Sequence, residues 1–207
     1  MELILTVLGV FIILVASEFW WRRRSPQDEF SRKFIHILVG SQAAFWPFYL
    51  SWRQILFLAV AFVIVISISK YFHVFQAIHA VERPTLGEIY FALAVGALAI
   101  VTHQPWIYAI ALLHMSLADG FAAIMGVTFG KSNRYQVFGH TKSIVGTLSF
   151  LVVSAVLLSY YNFYVASVSI GVLAALAITA TAIENLGGQG LDNLLVPVVV
   201  GVVLNTV

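Results

Sequence analysis

Long apolar segments separated by short polar stretches dominate the pattern of this chain. None of them alternates apolar and polar residues, as the strands of a membrane barrel would over about ten residues each. A helix that crosses a bilayer needs about 20 apolar residues, and most of the segments approach that length. The segments are 3–21, 34–50, 54–69, 86–102, 106–129, 144–161, 163–183 and 194–207. The pattern predicts an all-α, polytopic integral membrane bundle of about seven or eight transmembrane helices, because the last segment is short for a full span.

The basic residues fall on one side when the segments are threaded with alternating orientation. The first segment ends in two tryptophans followed by Arg22, Arg23 and Arg24, which is typical of a cytoplasmic anchor. With these arginines inside, every other Lys and Arg except Arg53 also lies on the cytoplasmic side. We therefore predict that the N-terminus lies outside. Most acids fall on the cytoplasmic side as well, which the positive-inside rule does not require, so we expect an active site there.

The composition excludes a soluble domain. Hydrophobic residues make up 61% of the 207 residues and charged residues 10%, with a mean hydropathy of +0.96. The net charge of +2 is too small to indicate a nucleic-acid partner, and the chain has no cysteine for a disulfide or a thiolate metal site. Without an internal repeat or a linker, we expect a single membrane-embedded domain, 1–207, in which the segment 3–21 is peripheral.

Asp119 is an acidic residue inside an apolar segment. Placing a charged group in a membrane helix costs roughly 2.5–3.5 kcal/mol on insertion scales, so such a residue is a functional hypothesis by default. Mg²⁺ carried on a nucleotide binds one or two carboxylates together with phosphate oxygens, and we predict that Asp119 is such a ligand. An ion pair with a neighbouring helix is the alternative. Ala122, Ala123, Gly126 and Gly130 follow on nearly one face, which permits a close approach of helix backbones.

The polar stretch 130–143 joins two apolar segments. Its glycines allow a backbone to approach phosphate, while Lys131 and Lys142, with His140 nearby, neutralise charge. Ser143 stands at a helix start, where backbone N–H groups point outward. The stretch is not a P-loop, because the pattern GxxxxGK[ST] is absent and no strand precedes it. Together with the preceding aspartate, it predicts a site for nucleotide phosphates.

A basic pair, Arg32 and Lys33, enters the second segment, with His36 one turn deeper. Arg32 and His36 are four residues apart and share a helix face. The pair fits phosphate near the lipid headgroups, since Arg offers a planar fork and Lys a point charge. For the pair alone, topology with snorkelling to anionic lipid is the alternative. His36 lies too deep for easy snorkelling, which favours a functional role and makes it one candidate for a catalytic base.

A glycine-rich connection before the last segment is flanked by further acids. Glu184 precedes it, and Asp192 and Asn193 follow it before the chain re-enters the membrane. Either carboxylate would complete a metal site with Asp119, and Asp192 is the second candidate for the base. The alternative is a flexible connection in which Asp192 caps the next helix.

Several stretches in collinear order carry a family resemblance. They are RKFIH at 32–36, ERPTLGEIYF at 82–91, LADGFAAIMGVTFGK at 117–131, HTKSIVGTLSF at 140–150 and E…LDNLLVP at 184–197. Through them the chain resembles the CTP-dependent polyprenol, phytol and dolichol kinases and the CTP-dependent diacylglycerol kinase, which are related to phosphatidate cytidylyltransferases.

The resemblance implies a membrane lipid kinase that takes CTP as phosphoryl donor with Mg²⁺. The acceptor would be a lipid alcohol such as phytol or another polyprenol. It implies that Arg32, Lys33, Asp119 and Gly126 are needed for activity. It also implies that residues 131–143 belong to the CTP-binding region, and that Asp192 and Asn193 lie at the site.

Two other functions stay open. A cytidylyltransferase would make a CDP-lipid from CTP and phosphatidate and release pyrophosphate, whereas a kinase, including a diacylglycerol kinase, releases CDP. A small transporter would instead use Asp119 as a proton or cation site. It would need charges near mid-membrane that are accessible from both sides, whereas the predicted threading gathers them at one face.

Overall fold

The computed structural model of the chain describes residues 1–24, 29–72 and 86–207, without the side chains of residues 20–24, 29–32 and 70. Helices make up most of this part, so the predicted helical class is confirmed there. The helices are α1 (Glu2–Arg24), α2 (Glu29–Ala44), α3 (Trp52–Phe72), α4 (Gly87–Val101), α5 (Pro105–Leu113), α6 (Asp119–Phe129), α7 (Ile144–Tyr164), α8 (Ile170–Leu186) and α9 (Asp192–Thr206).

In the described part of the chain, four helical stretches are long and apolar enough to cross a bilayer, by length and composition. They lie at Glu2–Phe19, Trp52–Ser69, Pro105–Phe129 and Ile144–Tyr164. α4, α8 and α9 are also apolar but have only 15, 17 and 15 residues. The count of about seven or eight spans and the outside N-terminus therefore stay predictions.

The outer surface of the bundle is apolar. Phe57, Val60, Val152, Phe163 and Ile170 are each 60–80% exposed. Proteins in water rarely expose large apolar patches, whereas the hydrocarbon of a bilayer is a favourable environment for them. The exposed apolar positions agree with a protein embedded in a membrane.

Small side chains fill the centre of the bundle. Ala92, Ala94, Ala109, Ala111 and Ala118 are fully buried. Small residues let helix backbones approach closely, which matters in lipid because no hydrophobic driving force presses one apolar helix against another.

Helices α6 and α7 cross closely at two glycines. A Cβ at Gly146 would lie 2.9 Å from the carbonyl oxygen of Ala122, and one at Gly126 would lie 2.9 Å from Ser143 Oγ. Real side chains almost never come so close. The face of small residues that follows Asp119 therefore serves tight packing against the next helix.

Two predicted helix boundaries were wrong. The segment predicted to reach residue 50 leaves the α-helix at Ala44, because a 3₁₀ turn at Trp46–Phe48 contains a proline, which cannot continue a helix interior. The segment predicted to begin at residue 163 begins at Ile170, since α7 continues to Tyr164. Ser169 caps α8 by accepting a hydrogen bond from the Val172 N–H.

The stretch 130–143, predicted as a loop, contains a β-hairpin. Strands β1 (Arg134–Val137) and β2 (His140–Ser143) pair antiparallel. Phe138 and Gly139, between them, have φ angles of 45° and 79°, as a tight hairpin turn with a right-handed twist requires. Glycine adopts this conformation readily, but phenylalanine is unusual there, so the turn carried no clear sequence signal.

One end of the bundle gathers the polar motifs. The backbone N–H of Leu86 donates to the Gln189 carbonyl at 3.2 Å, which ties the start of α4 to the connection between α8 and α9. The Asn193 side-chain amide donates to the Gly87 carbonyl at 3.0 Å and strengthens that link. The hairpin contacts the end of α8 at the same place through side chains described below.

Candidate metal and phosphate site

Three carboxylates from three helices meet at this end of the bundle. Asp119 begins α6, Glu184 lies near the end of α8 and Asp192 begins α9. One oxygen of each lies within 4.8 Å of the others, and we call these residues the carboxylate cluster. Asp119 and Glu184 are buried, whereas Asp192 is partly exposed. Carboxylate oxygens at this spacing are the hard ligands that Mg²⁺ prefers, so the donor set fits that ion.

Two lysines pair with the carboxylate cluster. Lys33 Nζ lies 2.5 Å from Asp119 Oδ2. Lys142 Nζ lies 2.5 Å from Glu184 Oε1 and also donates to the Glu184 carbonyl at 2.8 Å. Burial by itself lowers the pKa of Lys142, but the charge and hydrogen bond of Glu184, together with the charges of Asp192 and Asp119, outweigh that effect and raise the pKa above its ordinary value. Among the side chains that the structure describes, two ammonium groups face three carboxylates, which leaves one negative charge in excess and favours a bound cation.

The ion pair that was the alternative explanation of Asp119 is therefore present, with Lys33 of α2 as its partner. It does not account for the whole arrangement. A helix-to-helix ion pair needs one acid, whereas Asp119 also faces Glu184 and Asp192. Like charges at this distance disfavour one another, so a further positive group besides the two lysines would stabilise their convergence.

A π-helical stretch, His114–Ala118, joins α5 to α6 directly before Asp119. The Asp119 N–H consequently reaches the carbonyls of His114 and Ser116 rather than that of Met115. The Met115 carbonyl lies 3.1 Å from His36 Nε2. A carbonyl only accepts, so Nε2 carries the hydrogen and donates it. Such wide turns are rare and occur often at functional sites.

The same nitrogen of His36 lies 3.8 Å from Asp119 Oδ2. His36 therefore borders the carboxylate cluster, and its functional role stays a prediction. In this arrangement Nε2 is a donor, so a role for His36 as base would fall to Nδ1.

The chain is 30% identical to a phytol kinase from Synechocystis sp. in an alignment of 201 positions, which covers 93% of this chain and 84% of that protein. The chain belongs to the phytol kinase family. No family model matches it, and no solved structure does. The phytol kinase relative supports a lipid-alcohol kinase.

A set of hydrogen bonds around Tyr135, which we call the polar clamp, was not predicted from the sequence. The Tyr135 hydroxyl bonds to Thr147 Oγ1 at 2.5 Å and to Asn185 Oδ1. Asn185 is anchored in turn, since its amide donates to the Thr181 carbonyl at 3.0 Å. Tyr135 stands opposite Lys142 in the hairpin register. The clamp thus fixes the strand pair that carries Lys142. The sequence offered one signal for the clamp, namely that Asn185 directly follows Glu184.

Three further residues that were predicted to bind phosphate contact other parts of the protein. They are Ser143, Gly130 and His140. Ser143 caps α7 by accepting from the Gly146 N–H at 3.1 Å. Gly130 packs against Ser143, with no room for a Cβ. The His140 ring lies against Gly188, where a Cβ would stand 2.6 Å from Nε2. These contacts join the hairpin to the connection that leads into α9.

The remaining predicted residues are placed less centrally. Lys131 is exposed beside the hairpin. Asn193 is buried and bonds to α4, so it supports the start of α9 next to Asp192. Asp192 occupies the first turn of α9 without a side-chain capping bond, so the capping alternative was wrong. The Arg32 side chain lies outside the described residues.

Proposed function

We propose that this protein is a membrane lipid-alcohol kinase. It transfers the γ-phosphoryl group of CTP to the hydroxyl of phytol or a similar polyprenol at the cytoplasmic face, with Mg²⁺. The observation that carries the proposal is the carboxylate cluster with its two lysines at one end of an apolar helical bundle. The relative named phytol kinase supports the lipid-alcohol acceptor. CTP is favoured over ATP by the family resemblance alone.

The donor set supports Mg²⁺ as the ion. Asp119, Glu184 and Asp192 would hold it, because all three offer carboxylate oxygens close together. When bound, the ion would neutralise negative charge on the phosphates and on the leaving CDP.

The two lysines have a second role in this scheme. In the structure they pair with Asp119 and Glu184. Once those carboxylates bind a cation, the ammonium groups of Lys33 and Lys142 can bind phosphate oxygens instead. Phosphoryl transfer needs little covalent help from a protein and depends mostly on positioning and charge stabilisation, which these groups supply.

The transfer step needs one bond formed and one broken. The oxygen of the lipid hydroxyl bonds to the γ-phosphorus, and the bond from that phosphorus to the bridging oxygen breaks, so CDP leaves with the electron pair. The hydroxyl proton passes to a protein base. His36 and Asp192 are the two candidates, and Asp192 would act as the base only when Asp119 and Glu184 alone hold the ion.

The decisive experiment incubates purified protein in detergent with Mg²⁺, γ-labelled CTP and a panel of lipid alcohols that includes phytol and diacylglycerol. The expected products are labelled phytyl phosphate and CDP. Transfer to diacylglycerol alone would reassign the acceptor. Release of pyrophosphate with a CDP-lipid, when phosphatidate is offered, would make the protein a cytidylyltransferase. No transfer from CTP to any of these alcohols would overturn the proposal.

A further inference from the structure

A narrow cleft lies beside the carboxylate cluster, among α1, α2, α3 and α4. Its apolar walls are Leu14, Ile35, Val39, Phe62, Ile66 and Phe91. The Phe91 ring packs edge-on against Phe62 and against His36, with centroid separations of 5.8 and 5.4 Å. Walls of this kind favour hydrocarbon and offer nothing to a charged solute.

One end of the cleft is polar and touches the proposed site. His36, Glu88 and Asn193 line it there. His36 Nε2 lies 3.8 Å from Asp119 Oδ2. Asn193 directly follows Asp192 of the carboxylate cluster in the chain. His36 therefore borders both the apolar cleft and Asp119, and a molecule with a polar head and an apolar tail would bridge the two.

The outer wall of the cleft is thin. α1 contributes Leu14 to the lining and packs against α2. In α1 only 17% of the apolar window is buried inside the protein, against 61% in the stretch that contains Asp119. Within the described part of the chain, the largely exposed α1 thus separates this side of the cleft from the surroundings of the bundle, which gives a hydrocarbon chain a short lateral route from the bilayer.

We infer that this cleft binds the hydroxyl-bearing end of the acceptor alcohol, an inference that rests on the proposed function. The hydroxyl lies at the polar end beside His36, and the first part of the chain lies along Phe62 and Ile66. The cleft holds about 60 Å³. Sites that enclose a whole drug-sized ligand have roughly 300–1,000 Å³, so the rest of the chain lies outside, along the bilayer. The protein therefore selects the structure near the hydroxyl and tolerates differences in chain length.

A matched pair of substitutions on α3 tests the cleft by kinetics. Ile66→Trp fills the cleft, whereas Ile64→Trp adds the same side chain at a position that is 53% exposed on the outside of the helix. Ile66→Trp is expected to raise KM for the alcohol by about tenfold or more and to leave KM for CTP unchanged. Ile64→Trp is expected to match the wild type. Equal KM values for the two variants would overturn the assignment.

A binding experiment on the wild-type protein does not depend on turnover or on the folding of a variant. A phytol analogue with a photoreactive diazirine near its hydroxyl is added to the protein without nucleotide, and the labelled peptides are mapped. Labels are expected on the segments that line the cleft, which belong to α1, α2, α3, α4 and the start of α9. Labels elsewhere, together with intact transfer activity, would overturn the assignment of the cleft but leave the proposed kinase activity standing. Labels in the cleft without transfer to any alcohol would support the cleft as a binding site and overturn the proposed kinase activity.

Chain length gives a third measurement. Alcohols that share the first isoprene unit but differ in total length are expected to have similar KM values. Alcohols with different branching beside the hydroxyl are expected to differ strongly. A KM that follows total length instead would show that the protein encloses the whole chain.

Discussion

At the residue scale, Asp119 is the group on which the site converges. Lys33 and His36 approach it from α2, and the carboxylates of Glu184 and Asp192 approach it from two other helices. Its carboxylate is the first of the cluster that a mutation should remove, because asparagine keeps the shape and abolishes the charge.

Asp119→Asn is expected to lower transfer activity by roughly 100-fold or more, since a preorganised charge at the reacting centre is lost. The measurement is the initial rate with labelled CTP over a range of Mg²⁺ concentrations. Glu2→Gln, a carboxylate removed from an exposed position in α1, is the control and is expected to keep full activity. Undiminished transfer by Asp119→Asn would remove Asp119 from the metal site.

The substitution Lys142→Met tests the metal site by a stability measurement that does not depend on catalysis. Without Lys142, the buried Glu184 loses its partner, so the melting temperature is expected to fall. A cation beside Glu184 would replace the lost charge. Mg²⁺ is therefore expected to raise the melting temperature of Lys142→Met by more than that of the wild type.

The exposed lysine of the same stretch provides the control for that experiment. Lys131→Met is expected to melt like the wild type and to respond to Mg²⁺ to the same degree. If Mg²⁺ shifts Lys142→Met no more than it shifts Lys131→Met, the cation does not bind beside Glu184.

Sequence reasoning singled out the three acids of the carboxylate cluster, but it did not predict which lysine pairs with which acid. Asp119 was identifiable because an acid in an apolar segment is costly, and Glu184 and Asp192 because they flank a glycine-rich connection. Which lysine meets which acid depends on how α2, α6 and α8 pack, and no local pattern records that. Tyr135 was missed because a tyrosine in a polar stretch has many possible partners.

At the element scale, the hairpin positions Lys142 and the Tyr135 clamp positions the hairpin. The hydroxyl of Tyr135 joins β1 to α7 and α8 through Thr147 and Asn185. Apolar length predicted the helices, but it could not predict a hairpin with four-residue strands whose turn includes a phenylalanine. Nor could it predict the π-helical stretch, because its sequence HMSLA contains no proline or glycine that would mark a change of helix type.

Tyr135→Phe removes the hydroxyl of the clamp and leaves the ring. The loss of a hydrogen bond costs about 1 kcal/mol of stability, and a looser hairpin holds Lys142 less well. KM for CTP is expected to rise several-fold, while KM for the alcohol stays unchanged. Tyr164→Phe, at a position that is 77% exposed, is the control. Equal increases in both KM values would indicate a general loss of structure rather than a role in positioning.

At the scale of the whole molecule, the gathered polar end gives the bundle two unlike faces, and the sequence predicts that the polar end faces the cytoplasm. The threading of basic residues carries that prediction, and single-cysteine labelling tests it. The natural chain has no cysteine, so each introduced thiol is the sole target.

Lys131→Cys and Arg53→Cys place a thiol at exposed positions that the threading assigns to opposite sides of the membrane. In intact cells a membrane-impermeant maleimide is expected to label residue 53, while residue 131 reacts only after the cells are opened. Labelling of residue 131 from outside would reverse the predicted orientation. Labelling of both from one side would change the number of spans between them.

The wide turn at His114–Ala118 sets the direction in which the side chains of α6 point. An α-helix advances about 100° per residue, so one residue more or less in that turn swings the next side chains by more than a quarter of a circle. Asp119 is the first residue beyond the turn. Adding a single residue to a membrane helix thus suffices to aim an acid at its partners in the protein interior, without any change in the composition of the helix.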